Sequence, residues 1–201
     1  MLKDLANKRK CELSFKEKLI LAFYENVMMA VTGLVIVLLF YTFGFKIVAV
    51  DGESMLPTLN HGDRLIVTAF CVEPEQGDVI ISTQPNAFGN SIVKRIIATE
   101  NQTVNIDFST GNVFVDGVLL NEPYINNPTT NSEGVAFPLT VPEGYVFVMG
   151  DNRQGSTDSR SEKIGLIQEE YIFGVVKLRV ANYDEDNKKF KLIPVSDWKV
   201  E

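Results

Sequence analysis

The sequence predicts a mainly β protein, with coiled antiparallel sheets or a partly open barrel carried behind one N-terminal transmembrane α-helix. Two patterns predict it. Residues 28–45 carry no charge, and from residue 47 onward the chain breaks into short β-favouring runs separated by Gly, Asn, Pro and Asp, with no second long amphipathic helix. Many short strands at short intervals leave no room for β-α-β crossovers, so the sheets are expected to be antiparallel. The 201 residues suffice for a modest domain plus an anchor.

Residues 1–27 hold six basic and four acidic side chains, net +2. Within them Ser14-Phe15-Lys16-Glu17 has the spacing of a capping box, so a helix is expected to start there. It either continues into the membrane or lies first as a separate interfacial helix. The eighteen residues of 28–45, rising about 1.5 Å each, span about 27 Å, close to the roughly 30 Å hydrocarbon core. A core helix of this length is unusual in so small a domain. A cleaved signal sequence lies nearer the start and ends in a small-residue cleavage site. Residues 46–201 hold 13 basic and 22 acidic side chains, net −9. Because basic flanks stay in the cytoplasm, 1–27 is read as a cytoplasmic and juxtamembrane segment, 28–45 as the span, and 46–201 as an extracytoplasmic β-rich domain.

Strands are expected over 47–50, 64–70, 78–82, 91–98, 103–108, 112–115, 144–149, 171–180 and 189–193. Val115-Asp116-Gly117-Val118 reads as a hairpin turn. Residues 125–137 form the most loop-like segment and are expected to be the most mobile.

A pI near 4.9, with no basic patch in the large domain, argues against nucleic acid as a partner. Cys11 and Cys71 fall on opposite sides of the proposed membrane, carry no metal-ligand spacing and read as small apolar filling, so no metal or cofactor is called for. The sole histidine, His61, sits in the turn-like Asn60-His61-Gly62-Asp63, which leaves a His-based triad with little support.

A serine can instead be activated by a lysine whose charge is removed by burial. Ser54 follows the apolar run within Gly52-Glu53-Ser54-Met55-Leu56-Pro57-Thr58-Leu59, which places it near a membrane face. Lys94 sits in an apolar strand, where it and Arg95 point to opposite faces, one toward the site and the other toward solvent or a carboxylate. By residue type alone a strand lysine is more often a surface side chain and a Ser-Met pair more often structural, so both readings stand. The stretch 150–160, Gly-Asp-Asn-Arg-Gln-Gly-Ser-Thr-Asp-Ser-Arg, is on the plainest reading a solvated turn. Yet Asp151, Arg153, Asp158 and Arg160 alternate in sign at positions that can pair across a tight loop, and such pairs hold a loop rigid behind an active site.

Several boxes occur in order: Ser54-Met55-Leu56-Pro57-Thr58-Leu59, Gly62-Asp63-Arg64-Leu65-Ile66-Val67, Val93-Lys94-Arg95-Ile96-Ile97, and Gly150 to Arg160 without interruption. Asn121-Glu122-Pro123-Tyr124 matches a further recurrent element. Together, behind a single N-terminal span, they resemble the bacterial type I signal peptidases (leader peptidases) of the single-span Gram-positive kind, over nearly the whole chain.

That resemblance implies a signal-peptidase-like β fold and a membrane-bound serine endopeptidase acting on signal-peptide-bearing exported preproteins. Its partners would be those preproteins and the lipid bilayer, with secretion or pilus-assembly machinery as a further link. It implies Ser54 as nucleophile, Lys94 as general base and Ser156 as the hydroxyl that orients the lysine. Asp151, Arg153, Asp158 and Arg160 correspond to the site scaffold, and Met55 to a residue shaping pockets that admit small residues one and three positions before the cut. The Ser54 backbone N–H corresponds to one oxyanion donor. Gly52 stands where Gram-negative members commonly carry a serine whose hydroxyl helps stabilise the oxyanion, so the second donor is unassigned. Ile97 to Gln102 departs from the family's usual Gly-Leu-Pro-Gly-Asp turn. Two alternatives compete: a homologue dedicated to pilus or surface-protein assembly, which would need neither Ser54 nor Lys94, and a self-cleaving repressor, which would need a DNA-binding head where residues 1–45 supply a span.

Overall fold

The computed structural model describes residues 14–68, 73–87, 89–180 and 192–194. Cys11 and Cys71 lie outside these, as do positions 69–70 and 189–191 of the expected strands. The chain divides into two compact units, Met1–Gly44 and Phe45–Glu201.

The first unit contains helix α1, Phe15–Phe43. Its first turn is closed by the Lys18 N–H donating to the Ser14 carbonyl at 3.0 Å; the Glu17 side chain of the expected box is outside the described residues. The helix is continuous, with no break ahead of residue 28. Its stretch Lys18–Leu39 has a mean hydropathy of 1.9, and none of it is buried within the protein. A helix apolar on all sides is solvated by lipid rather than by water. Asn26, a polar residue within the stretch, donates its side-chain amide to the Ala22 carbonyl at 2.7 Å and so satisfies itself on its own helix.

The second unit is built of antiparallel strands: β1 (Phe45–Ala49), β2 (Arg64–Thr68), β3 (Val79–Ser82), β4 (Ile92–Ala98), β5 (Thr103–Asp107), β6 (Asn112–Val115), β7 (Val118–Leu119), β8 (Leu139–Thr140), β9 (Tyr145–Met149), β10 (Ile167–Gln168), β11 (Ile172–Val180) and β12 (Leu192–Pro194). One sheet runs in the order β1-β2-β11-β3-β4-β9-β10, with β12 on β11; the other runs β7-β6-β5-β8. The mainly β expectation holds. Asp116 (φ 52°) and Gly117 (φ 78°) make the two-residue turn between β6 and β7, the left-handed pair that such a hairpin requires. The atypical 97–102 segment closes its own turn: Gln102 N–H donates to the Thr99 carbonyl at 3.2 Å, and Thr99 N–H donates to the Gln102 side-chain oxygen at 2.8 Å.

Strand β4 is the element that positions the site. From Lys94 to Ala98 every residue is buried, which explains a continuous rather than alternating apolar pattern. Ile96 packs in one core cluster with Val148 and Ile80, and Ile97 in another with Phe147 and Val104. The register places Lys94 opposite Ile80 and Arg95 opposite Val79 on β3. The two basic side chains therefore leave the same strand on opposite faces.

Residues 125–137 contain no helix or strand, as expected, but the segment is well anchored. Thr129 is fully buried, Gly134 forms an isolated bridge with Ser161, and the Val135 N–H donates to the Arg160 carbonyl at 3.1 Å.

Candidate active site

Ser54 opens a hydrogen-bonded turn that runs to Thr58 and contains a cis Leu56–Pro57 peptide bond. Leu56 N–H donates to the Glu53 carbonyl at 3.2 Å and Leu59 N–H to the Met55 carbonyl at 2.9 Å. Met55 and Leu59 anchor the turn, their side chains 2% and 0% exposed among Val50, Leu65, Val67 and Val176. Met55 thus packs in the core cluster beneath the turn.

Lys94 Nζ lies 2.7 Å from Ser54 Oγ. As an ammonium it donates to that oxygen; as a neutral amine it accepts the hydroxyl proton. Lys94 is 5% exposed, and burial, working against the pull of Asp158 and Asp151, lowers its pKa from 10.5 to about 8. Desolvation wins because the interior penalises the ammonium more than the nearby carboxylates reward it.

The loop 150–160 packs against the Ser54 backbone. Asn152 clamps the backbone at Ser54, its N–H donating to the Ser54 carbonyl and its side-chain amide to the Glu53 carbonyl, each at 3.1 Å. Ser156 Oγ donates to Asp158 Oδ2 at 2.8 Å. Gly150 packs directly between Ser54 and Ser156. A Cβ there would stand 2.3 Å from Ser156 Oγ and 2.4 Å from the Ser54 carbonyl oxygen. Gly150→Ala is accordingly expected to push the Ser54 backbone away from the loop and, where Ser54 acts in catalysis, to lower kcat by about 100-fold, as read from initial rates.

Of the four expected scaffold residues, Asp158 and Arg160 pair within the loop. Arg160 Nε and Nη2 donate to the two Asp158 oxygens at 2.8 and 2.9 Å, both residues being fully buried. Arg160 also donates to the carbonyls of Arg153 (2.9 Å) and Asn131 (3.3 Å) and lies 3.5 Å from Glu133, whose carboxyl is raised above its usual range by burial and then by Asp158. Asp151 and Arg153 reach outward instead. Asp151 takes both Nε and Nη2 of Arg95, at 2.8 and 2.7 Å, and the Thr58 hydroxyl. Arg153 forks onto Glu122, donates to Thr129 Oγ1 at 2.6 Å and to the Gly150 carbonyl at 3.0 Å.

Sequence reasoning gave no role to Thr58, Glu122, Tyr124, Thr129 or Asn152, and left Arg95 between solvent and a carboxylate. The signal for Arg95 is the alternation of strand faces. For Glu122 and Tyr124 it is their place in a recurrent element. Tyr124 joins the two ion pairs: its hydroxyl donates to Glu122 at 3.1 Å, and its ring lies 4.0 Å under the Arg95 guanidinium.

Gly52 has φ 101°, a left-handed conformation, with nothing within 4 Å of a Cβ built on it. Backbone geometry rather than crowding thus favours glycine there. Its N–H donates to His61 Nδ1 at 3.2 Å. Among the described residues no group of three or more His, Cys, Asp or Glu is placed to hold a metal ion.

A family model described as signal peptidase, peptidase S26, matches residues 23–181. The probable signal peptidase I-1 of Synechocystis sp. is 33% identical over 184 residues, covering 87% of this chain and 84% of that protein. Signal peptidase I of Bacillus licheniformis is 34% identical over 177 residues, covering 82% and 92%. A crystal structure of a signal peptidase I from Enterococcus faecalis V583 is 31% identical, with a TM-score of 0.43, covering 52% of this chain and 97% of that one.

Proposed function

The chain belongs to the signal peptidase family, peptidase S26, and from that premise we propose that Ser54 and Lys94 are the dyad with which it cuts. The protein is a membrane-anchored serine endopeptidase that removes signal peptides from preproteins. The observation that carries the dyad reading is the 2.7 Å approach of Lys94 Nζ to Ser54 Oγ in a site where the lysine is buried.

Neutral Lys94 takes the Ser54 hydroxyl proton as Oγ attacks the scissile carbonyl. The tetrahedral oxyanion is stabilised by the Ser54 backbone N–H. Collapse expels the amine of the mature chain, to which the Lys94 ammonium returns the proton, and leaves the signal peptide esterified to Ser54. Lys94 then deprotonates the water that hydrolyses the ester. Ser156, tied to Asp158, is the hydroxyl that orients Lys94, and Met55 helps shape the substrate pockets. Shallow pockets admit small residues one and three positions before the cut.

The charge asymmetry supports a cytoplasmic residue 1–27 flank, a span within α1 and an extracytoplasmic catalytic domain. Confining enzyme and precursor to one membrane raises their effective concentration. A link to secretion or pilus-assembly machinery would add to this function; assembly alone would not require the Ser54–Lys94 approach.

The test is cleavage of a signal-bearing precursor by the full-length, detergent-solubilised protein. Wild type is expected to release the mature chain, and Ser54→Ala to lose at least about 1,000-fold in rate. Undiminished cleavage by Ser54→Ala would sink the reading.

A further inference from the structure

The segment that carries Ser54 is a closed loop. Val50 N–H donates to the Asp63 carbonyl at 2.8 Å and Gly62 N–H to the Val50 carbonyl at 2.9 Å, tying its two ends together. Inside it the turn that begins at Ser54 runs to Thr58, and a buried backbone carbonyl there needs a hydrogen-bond partner. The Thr58 carbonyl finds one in Arg179, whose Nη1 donates to it at 2.7 Å from 121 residues further along the chain. Arg179 Nε lies 2.6 Å from Asp63 Oδ2. That N–H is not aimed at the oxygen, so the contact is an ion pair rather than a directed hydrogen bond. Asp63 is 1% exposed, and the same Oδ2 accepts the Asn60 N–H at 2.8 Å.

We propose that Arg179 is a positioning residue for the nucleophile, an inference that rests on the Ser54–Lys94 reading. It belongs to none of the boxes that carry the family resemblance. It reaches the loop because β11 lies next to β2, with Arg179 opposite Leu65. One guanidinium serves a backbone carbonyl on the nucleophile's turn and a carboxylate at the loop's closure. A planar, delocalised cation can span two such acceptors, whereas a lysine ammonium acts as a point charge. Thr58 continues the connection, since its hydroxyl donates to Asp151 of the catalytic loop. Arg179 thus braces one side of the turn while Asp151 braces the other, and Ser54 is held four residues from the doubly tied Thr58. Without the guanidinium the Thr58 carbonyl and the Asp63 carboxylate lose their shared partner. The turn then relaxes, and Ser54 Oγ drifts from Lys94 Nζ.

The experiment compares wild type, Arg179→Met, Arg179→Lys and Ser54→Ala as full-length detergent-solubilised proteins, reading kcat, KM, the pH profile and thermal unfolding. Arg179→Met is expected to lower kcat by about 30- to 100-fold, the scale of a misplacement near 1 Å, while KM and the pH midpoint stay at wild-type values. Arg179→Lys is expected to fall between the two, and millimolar guanidinium to restore part of the Arg179→Met rate, which a general loss of folding would not allow. Wild-type kcat in folded Arg179→Met would overturn the proposal, as would a loss accounted for by the unfolded fraction and unrelieved by guanidinium. If Arg179→Met does not fold, Arg179→Lys decides: a reduced kcat at unchanged KM supports the proposal, and wild-type kcat overturns it. Should Ser54→Ala cleave like wild type, the dyad reading falls and this inference falls with it. An inactive Ser54→Ala beside a fully active, folded Arg179→Met removes this inference alone.

Discussion

Lys94→Met is expected to abolish precursor cleavage and, in the same protein, to raise stability at pH 7. The first effect follows from the loss of the base that takes the Ser54 proton in the proposed mechanism, and amounts to about 1,000-fold or more. The second follows from the cost of burying the amine. Lowering its pKa from 10.5 to about 8 corresponds to about 3 kcal/mol held against the folded state. The sign is fixed by proton counts. Below pH 8 folded and unfolded lysine are both charged, and the whole penalty is present. Between pH 8 and 10.5 the unfolded chain binds more protons, so wild-type stability climbs with pH. Above 10.5 the penalty is gone. The advantage of Lys94→Met should therefore be largest near neutrality and shrink between pH 8 and 10.5, as followed by thermal unfolding at pH 7 and 9.5. Methionine keeps the length and apolar stem of the side chain, so little cavity cost offsets the gain. An unchanged or lowered midpoint at pH 7 would mean that the amine is solvated.

Asp151→Ala is expected to be the most destabilising single change at the site. It strands the Arg95 guanidinium, 5% exposed, and removes the acceptor of the Thr58 hydroxyl. Removing one partner of a buried pair costs about 3–5 kcal/mol, because the remaining charge has lost both water and counter-charge. The loss is expected to be much smaller in the double variant Arg95→Met with Asp151→Leu, where no charge is left behind. Denaturant unfolding of the single and double variants measures the difference. A double variant as unstable as Asp151→Ala would place the cost in packing rather than in the stranded charge. Activity is not expected to return with stability, since the Thr58 tie to the 150–160 loop is lost in both.

The parts of this architecture governed by local rules could be read from the sequence. The uncharged run gave the helix, alternation placed Lys94 and Arg95 on opposite faces, and Asp116-Gly117 gave the hairpin turn. Asp158 and Arg160, two residues apart, paired as the charge pattern suggested. The contacts missed are those that depend on sheet order. Asp151 pairs with a residue 56 positions upstream and Arg153 with one 31 upstream, and β11 inserts between β2 and β3 to bring Arg179 to the turn that carries Ser54. None of these follows from spacing. The 125–137 segment shows the same limit. Its composition correctly indicates irregular backbone, but it could not reveal that Arg153 takes the Thr129 hydroxyl and Arg160 the Asn131 carbonyl.

The pH dependence of kcat/KM for wild-type precursor cleavage tests the proton role of Lys94 most directly, because its acid limb reports the free enzyme's essential base. The account predicts a rise of one proton's slope with a midpoint at about 8, the pH at which the buried amine becomes neutral. A limb centred near the ordinary histidine value of about 6.5, or a profile flat through pH 8, would contradict it.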